Sequence, residues 1–304
     1  MATSFNIAAL TAYTDELSMD LVAKAVLNTD LLSYTDLRTG MTSGTFTINL
    51  VDSELPVTAL SCGGYPGDGQ VVYTQVPVTI DSLQSKTTLC PEDLRSVYQS
   101  AFMSAGTGND FIPFEEVISE SYSAKLTKSV EDYLINGAGA AGTGTGLRAQ
   151  MNAGANTIAT AAVWTVNNAI EQALDIYDAI DESVINRDDI VMVVGPANYR
   201  TLVRALVAQG GTGLFHYKAV EGNEILMLPG TNCKVVMSSG LTGASKDQVF
   251  AGPSKFIVAA TGLADELDSF RFQYSVSLDA VLFKAAWRIG VGVSQVNLFA
   301  TNGL

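Results

Sequence analysis

Hydrophobic and polar positions alternate in two stretches of the chain's first third. Phe46, Ile48 and Leu50 are interleaved with Thr45, Thr47 and Asn49, and further on Val76, Val78 and Ile80 alternate with Gln75, Pro77 and Thr79. A period of two predicts a pair of strands, each with one buried face. The intervening LPVTALSCGGYPGDGQ is dense in glycine and proline and reads as the tip of a long hairpin. An isolated two-stranded ribbon is only marginally stable in water, so this one must find partners.

The period changes beyond residue 110. Ile112 precedes a proline and favours an extended backbone, whereas Pro113 suits the first turn of a helix and leaves no amide unsatisfied. Asn136 and Gly137 supply the residues that close a helix in the left-handed conformation. The expectation is a helix over 113–136, about six turns and roughly 35 Å long. Phe114, Ile118, Tyr122, Leu126, Val130 and Leu134 recur every fourth residue along it. Each step of four overshoots one turn by about 40°, so the apolar stripe winds roughly half way round, and the two ends should pack against different partners.

Elsewhere the pattern predicts shorter elements. LSMDLVAKAVL reads as a helix within an N-terminal arm, and Pro91 opens another over PEDLRSVYQSAFMSA. GAGAAGTGTG, at 137–146, reads as a flexible connector, with loop-like sequence continuing to about Val163. Ala169, Ile170, Ala173, Leu174, Tyr177 and Ile180 mark an amphipathic helix, and 190–194 a fully buried strand. Gly195 and Pro196 then start a helix with Tyr199, Leu202, Val203 and Leu206 on one face. Strands are expected at 225–228, 233–237, 248–251 and 256–260. Phe270, Phe272, Tyr274 and Val276 alternate cleanly before a final run through LFKAAWRIGVGV.

Composition narrows the function classes. The 304 residues are 47% hydrophobic with a mean hydropathy of +0.23, enough for a substantial core in one or two domains. No apolar run reaches the roughly 18 residues of a membrane span, and the start lacks the basic region of a secretory signal, so a soluble chain unprocessed at its N-terminus is expected. The net charge of −14 and pI near 4.4 oppose nonspecific adhesion to nucleic acid or anionic membranes. Cys62, Cys90 and Cys233 match no zinc or haem spacing and are expected to be reduced thiols in a cytoplasmic setting.

Candidate chemistry is sparse. Gly137, Gly139 and Gly142 spell GxGxxG, but a dinucleotide site needs those glycines after a strand and opening a helix, whereas here they follow a helix and enter a loop. The motif reads as a linker. His216 is the single histidine, which excludes a histidine metal cluster. Glu115 and Glu116 fit the electrostatics of a helix start, and the pairs Asp188–Asp189 and Asp265–Glu266 flank predicted strands as solvated residues. No catalytic residue, cofactor or metal site is expected.

The order of elements resembles the tailed-bacteriophage major capsid protein family, with its Hong Kong 97-like capsid fold. The residues that carry the resemblance are the hairpin at about 44–81, the long helix ending in Leu134-Ile135-Asn136-Gly137, the stretch VMVVGPANYRTLVRALVAQGG, and the C-terminal SFRFQYSVSLDAVLFKAAWRIGVGVSQVNLFA with its Arg288. The resemblance implies an α+β chain: an N-terminal arm (1–40), an extended hairpin loop (41–88), a peripheral domain with the spine helix (89–150), an axial α/β domain (151–252), return strands of the peripheral domain (253–288) and a C-terminal strand of the axial domain (289–304).

It implies a structural protein that assembles as hexamers and pentamers into an icosahedral shell around packaged double-stranded DNA. Scaffold, portal and decoration proteins would be its partners, the virion its location and the host cytoplasm the place of assembly. Phe46, Ile48, Val76, Val78, Ile80, Tyr122, Leu126 and His216 are the expected inter-subunit contacts. Two features depart from the pattern. Some members weld subunits through a hairpin lysine, but residues 41–85 contain neither Lys nor Arg, which removes that cross-link. The chain also begins at the arm without a scaffolding extension, implying a separate scaffold or none. An encapsulin-like compartment around cargo protein shares this reading of the fold, and a soluble α/β enzyme using residues 137–146 or His216 is the alternative of another class.

Overall fold

The computed structural model describes residues 31–41, 44–53, 71–89, 114–137, 144–208, 217–220, 223–262, 270–275 and 280–304. The expected helices at 17–27 and 91–105, Pro113, His216, Cys62, Cys90 and the pair Asp265–Glu266 lie outside the described residues.

In chain order the strands are β1 (Asp36–Arg38), β2 (Gly44–Ser53), β3 (Val71–Leu89), β4 (Asn156–Thr157), β5 (Ile190–Val194), β6 (Tyr217–Val220), β7 (Asn223–Met227), β8 (Lys234–Met237), β9 (Phe250–Pro253), β10 (Ile257–Thr261), β11 (Phe270–Ser275), β12 (Ala280–Val293) and β13 (Ala300–Thr301). The helices are α1 (Phe114–Asn136), α2 (Leu147–Gly154), α3 (Ala169–Asp178) and α4 (Pro196–Ala208).

Two sheets divide these strands. A six-stranded sheet runs β1-β10-β12-β3-β2, with β11 also paired to β12. A seven-stranded sheet runs β4-β13-β9-β5-β8-β7-β6, with β5 parallel to β8 and antiparallel to β9. Every residue of β5 is buried, as a strand covered on both faces requires. The helices α3 and α4 pack against one another beside this sheet. The chain enters the seven-stranded sheet after α2, leaves it after β9 and returns only at β13, because β12 stays paired with β10 as far as Val293.

The longest strand links the ribbon to the body. Over residues 71–80, β3 pairs with β2, and over 81–89 with β12. The helix α1 lies against this region, its Tyr122 ring stacked on Phe283 of β12 at 4.4 Å between centroids. Burial of Leu126, Val130 and Leu134 follows the four-residue stripe, and Tyr133 and Ile135 are buried too, so the end of the rod is enclosed on most sides.

The region after the connector differs from the sequence expectation of loop through Val163. Residues 147–154 form α2, with Leu147 and Met151 buried one turn apart. Eight residues with a glycine before them and no side-chain cap carry little intrinsic helical stability, so packing holds this helix, and packing leaves no local signal.

Candidate assembly interface

The ribbon β2–β3 is built from two unlike halves. Near its base Phe46 faces Val78 and Ile48 faces Val76 across the ladder, forming one apolar side. Ile48 and Val78 pack on Val258 of β10, with Phe46, Leu50 and Val76 around them. The approach is close: a β-carbon on Gly292 would collide with Val78, and one on Gly290 would collide with the Thr79 carbonyl. Glycine is therefore required at both positions, and IGVGV in β12 is the slot on which the ribbon base rests. Arg38 adds its guanidinium over the Phe46 ring at 5.2 Å.

Within the subunit the expected contact residues are covered to different degrees. Val78 is 1% exposed, and Ile48, Ile80 and Leu126 are likewise buried within this chain. Tyr122 is engaged with Phe283, while Phe46 and Val76 are half-covered. Alternation identifies a face that is buried; it does not say which molecule buries it.

Farther out, Val51, Val71 and Tyr73 are exposed on the other side of the ribbon. Val51 pairs with Tyr73 and Ser53 with Val71, on the face that carries Thr45, Thr47, Asn49 and Gln75 nearer the base. Gln75 donates to Asn49 across that polar stretch at 3.0 Å. Tyr73 is 76% exposed and Val51 62%, with Val71 also open on this face, whereas the exposed Val72 lies on the opposite one. Isolated surface valines need no explanation, but cross-strand neighbours exposed together on a ribbon form a patch that asks for a partner.

The end of α1 ties the two sheets. The buried Glu131 carboxylate accepts hydrogen bonds from the Ser239 amide at 2.8 Å and from the Ser239 hydroxyl. Asn136 Nδ2 donates to the Gly240 carbonyl at 3.1 Å, and a β-carbon on Gly240 would lie 2.5 Å from the Glu131 carbonyl oxygen. The loop after β8 is thus seated directly on the helix. On another side, the Tyr133 hydroxyl donates to Asp81 of β3 at 3.2 Å. Burial and the neighbouring Asp81 carboxylate both raise the Tyr133 pKa, so this hydroxyl stays protonated and donating across the ordinary pH range.

Of the remaining sequence candidates, Gly137, Asp189 and Cys233 are among the described residues. Gly137 has φ of +81° and closes α1, and an isolated bridge joins it to Thr145. Asp189 is held below the usual carboxylate range by Arg187, whose guanidinium donates twice to it at 2.8 Å. The Cys233 thiol is buried and pushed up to about 12 by desolvation, which makes it a poor nucleophile. Among the described residues no cluster of His, Cys, Asp and Glu could hold a metal, and no described helix is long and apolar enough to cross a membrane. Asp81, Glu131 and the glycines of β12 escaped the sequence reading; only the glycine alternation left a local signal.

No model of a known protein family matches the chain, and no curated protein does. Solved structures do. A chain of Gordonia phage Cozz superposes with a TM-score of 0.59 at 12% identity, covering 90% of this chain and 85% of that one. The capsid of an empty GTA particle gives 0.54 at 14% identity, covering 90% and 88%. The holo-SrpI encapsulin complex of Synechococcus elongatus gives 0.51 at 11% identity, covering 89% and 85%. The chain has the α+β fold shared by these phage, capsid and encapsulin chains over most of its length.

Proposed function

We propose that this chain is the repeating subunit of a closed icosahedral shell, a major capsid protein of the tailed-bacteriophage type, assembled as hexamers and pentamers around double-stranded DNA. The observation that carries the reading is agreement over 90% of the chain with the capsid chain of a GTA particle, joined to a ribbon whose outer apolar residues are exposed among the described residues. Covering Val51, Val71 and Tyr73 on a neighbour contributes roughly 1 kcal/mol per side chain, and each copy in a closed shell both gives and receives such a contact.

In this reading α1 is the spine helix and the six-stranded sheet the peripheral domain, the seven-stranded sheet is the axial domain, and β2–β3 is the extended loop. His216, which precedes β6 in the chain, would also meet a neighbour. Scaffold, portal and decoration proteins would be the heterologous partners, assembly would take place in the host cytoplasm, and the finished location would be the virion. The encapsulin match supports a second reading, a compartment around cargo protein, which shares every subunit contact proposed above.

Purified protein imaged by negative stain should show closed particles. Their content, DNA or a cargo enzyme, separates the two readings. Deleting residues 51–74 should leave the circular dichroism of the subunit native and abolish particles, and Tyr73→Asp should weaken assembly in the same direction. Normal particles from the deletion would overturn the role given to the ribbon, and a discrete monomer from the unaltered chain would overturn the shell.

A further inference from the structure

The strand β3 changes partner at one residue. Ile80 is the last to pair with β2, opposite Gly44, and Asp81 is the first to pair with β12, opposite Ile289. Alternation along the strand directs Asp81 to the face opposite Val78 and Ile80. There Asp81 Oδ2 accepts the Tyr133 hydroxyl of α1 at 3.2 Å and the Gly144 amide at 2.7 Å. Gly144 has no space for a side chain: a β-carbon would strike the Tyr133 hydroxyl and lie 2.9 Å from Asp81 Oδ2. The connector is held in that position by the bridge between Gly137 and Thr145 and by the contact of Gly146 with the Ile135 carbonyl. Two groups, 52 and 63 residues beyond Asp81 along the chain, converge on a single oxygen of its carboxylate.

We propose that Asp81 is a positioning residue that sets the direction in which the ribbon leaves the sheet, by locking the changeover point of β3 to the end of α1. The ribbon base is gripped from two sides. On one, Val78 and the Thr79 backbone sit in the glycine slot of β12; on the other, Asp81 holds Tyr133 and Gly144. With only the first grip, the ribbon turns about its base. The ten residues of β2 correspond to roughly 33 Å of strand, so a pivot of about 10° moves the far end by about 6 Å. That displacement exceeds a side-chain contact distance and would carry Val51 and Tyr73 off any surface they meet. The consequence for assembly rests on the shell reading; the grip itself does not.

The test compares the full-length chain with Asp81→Ala, Asp81→Asn, Gly144→Ala and Leu202→Ala, using two readouts. Hydrogen exchange of the unassembled subunit is followed over peptides covering 71–80 and 144–146, and particle diameter is measured by electron microscopy. Asp81→Ala should speed exchange at 144–146 about 10-fold or more and raise it along 71–80, while giving particles of mixed diameter or none. Asp81→Asn keeps an acceptor oxygen and should restore both slow exchange and uniform particles. Gly144→Ala leaves Asp81 in place and should reproduce the loss, which keeps the test decisive if Asp81→Ala fails to fold. Leu202→Ala, in the core of α4, should lower Tm without changing exchange at the ribbon base. Unchanged exchange at 144–146 in both Asp81→Ala and Gly144→Ala, or uniform particles of unaltered diameter from either, would overturn the proposal. If the unaltered chain forms no particles, the shell reading falls, and the exchange comparison still decides whether Asp81 grips the ribbon.

Discussion

Individual residues matter here where two backbones come closer than a side chain permits. Gly292 stands opposite Val258 in the ladder and directly beneath Val78, so its missing β-carbon is what lets the ribbon base settle on the sheet. Gly292→Ala forces a methyl group into Val78, an overpacking that costs about 1–3 kcal/mol and should appear as a lower Tm. An unchanged Tm would mean that the ribbon rests elsewhere. Gly290 belongs to the same slot through the Thr79 carbonyl, and substitution there displaces backbone as well as side chain. Glu131 illustrates the opposite case, a charged side chain retained in the interior because the Ser239 amide and hydroxyl both donate to it.

Among the elements, α1 has the most to do. One stretch of it touches β12 through Tyr122, β3 through Tyr133 and the loop after β8 through Glu131 and Asn136. Leu126 is buried between these anchors, and Leu126→Asp places a charge in the hydrophobic core, so a loss of about 3 kcal/mol or more is expected, read as loss of cooperative unfolding. Tolerance of that aspartate would mean that the helix packs on a different face. Its span was legible because Pro113 and Asn136-Gly137 are local punctuation, and β5 was legible because a continuous apolar run ends at Gly195-Pro196. The ribbon's strands were legible in the same way. Its covering was not, since Val258 lies far along the chain and alternation is identical whether a face is covered by its own sheet or by another molecule. Asp81 could not be singled out either. A lone carboxylate in a strand carries no period, and its two partners come from a helix and a connector remote in sequence.

At the scale of the whole molecule, charge and ribbon geometry act together. Each copy carries −14, so bringing many copies together works against mutual repulsion that mobile ions screen. Particle formation should therefore become more favourable between about 0.05 M and about 0.5 M salt, where the screening length falls several-fold, as followed by light scattering. A fall in assembly over that range would point instead to an interface held by opposite charges. The long strand β3 has a further, mechanical consequence. It pairs with β12 through nine successive residues, from Asp81 opposite Ile289 to Leu89 opposite Val281, in the same strand that forms the ribbon. A pull applied along the ribbon would load that whole row of backbone hydrogen bonds in shear, all at once, whereas a ribbon attached by a turn would peel one bond at a time. Tension between neighbouring copies would thus pass straight into the strand at the centre of the sheet, and the ribbon would behave as a tendon rooted in the body of the subunit.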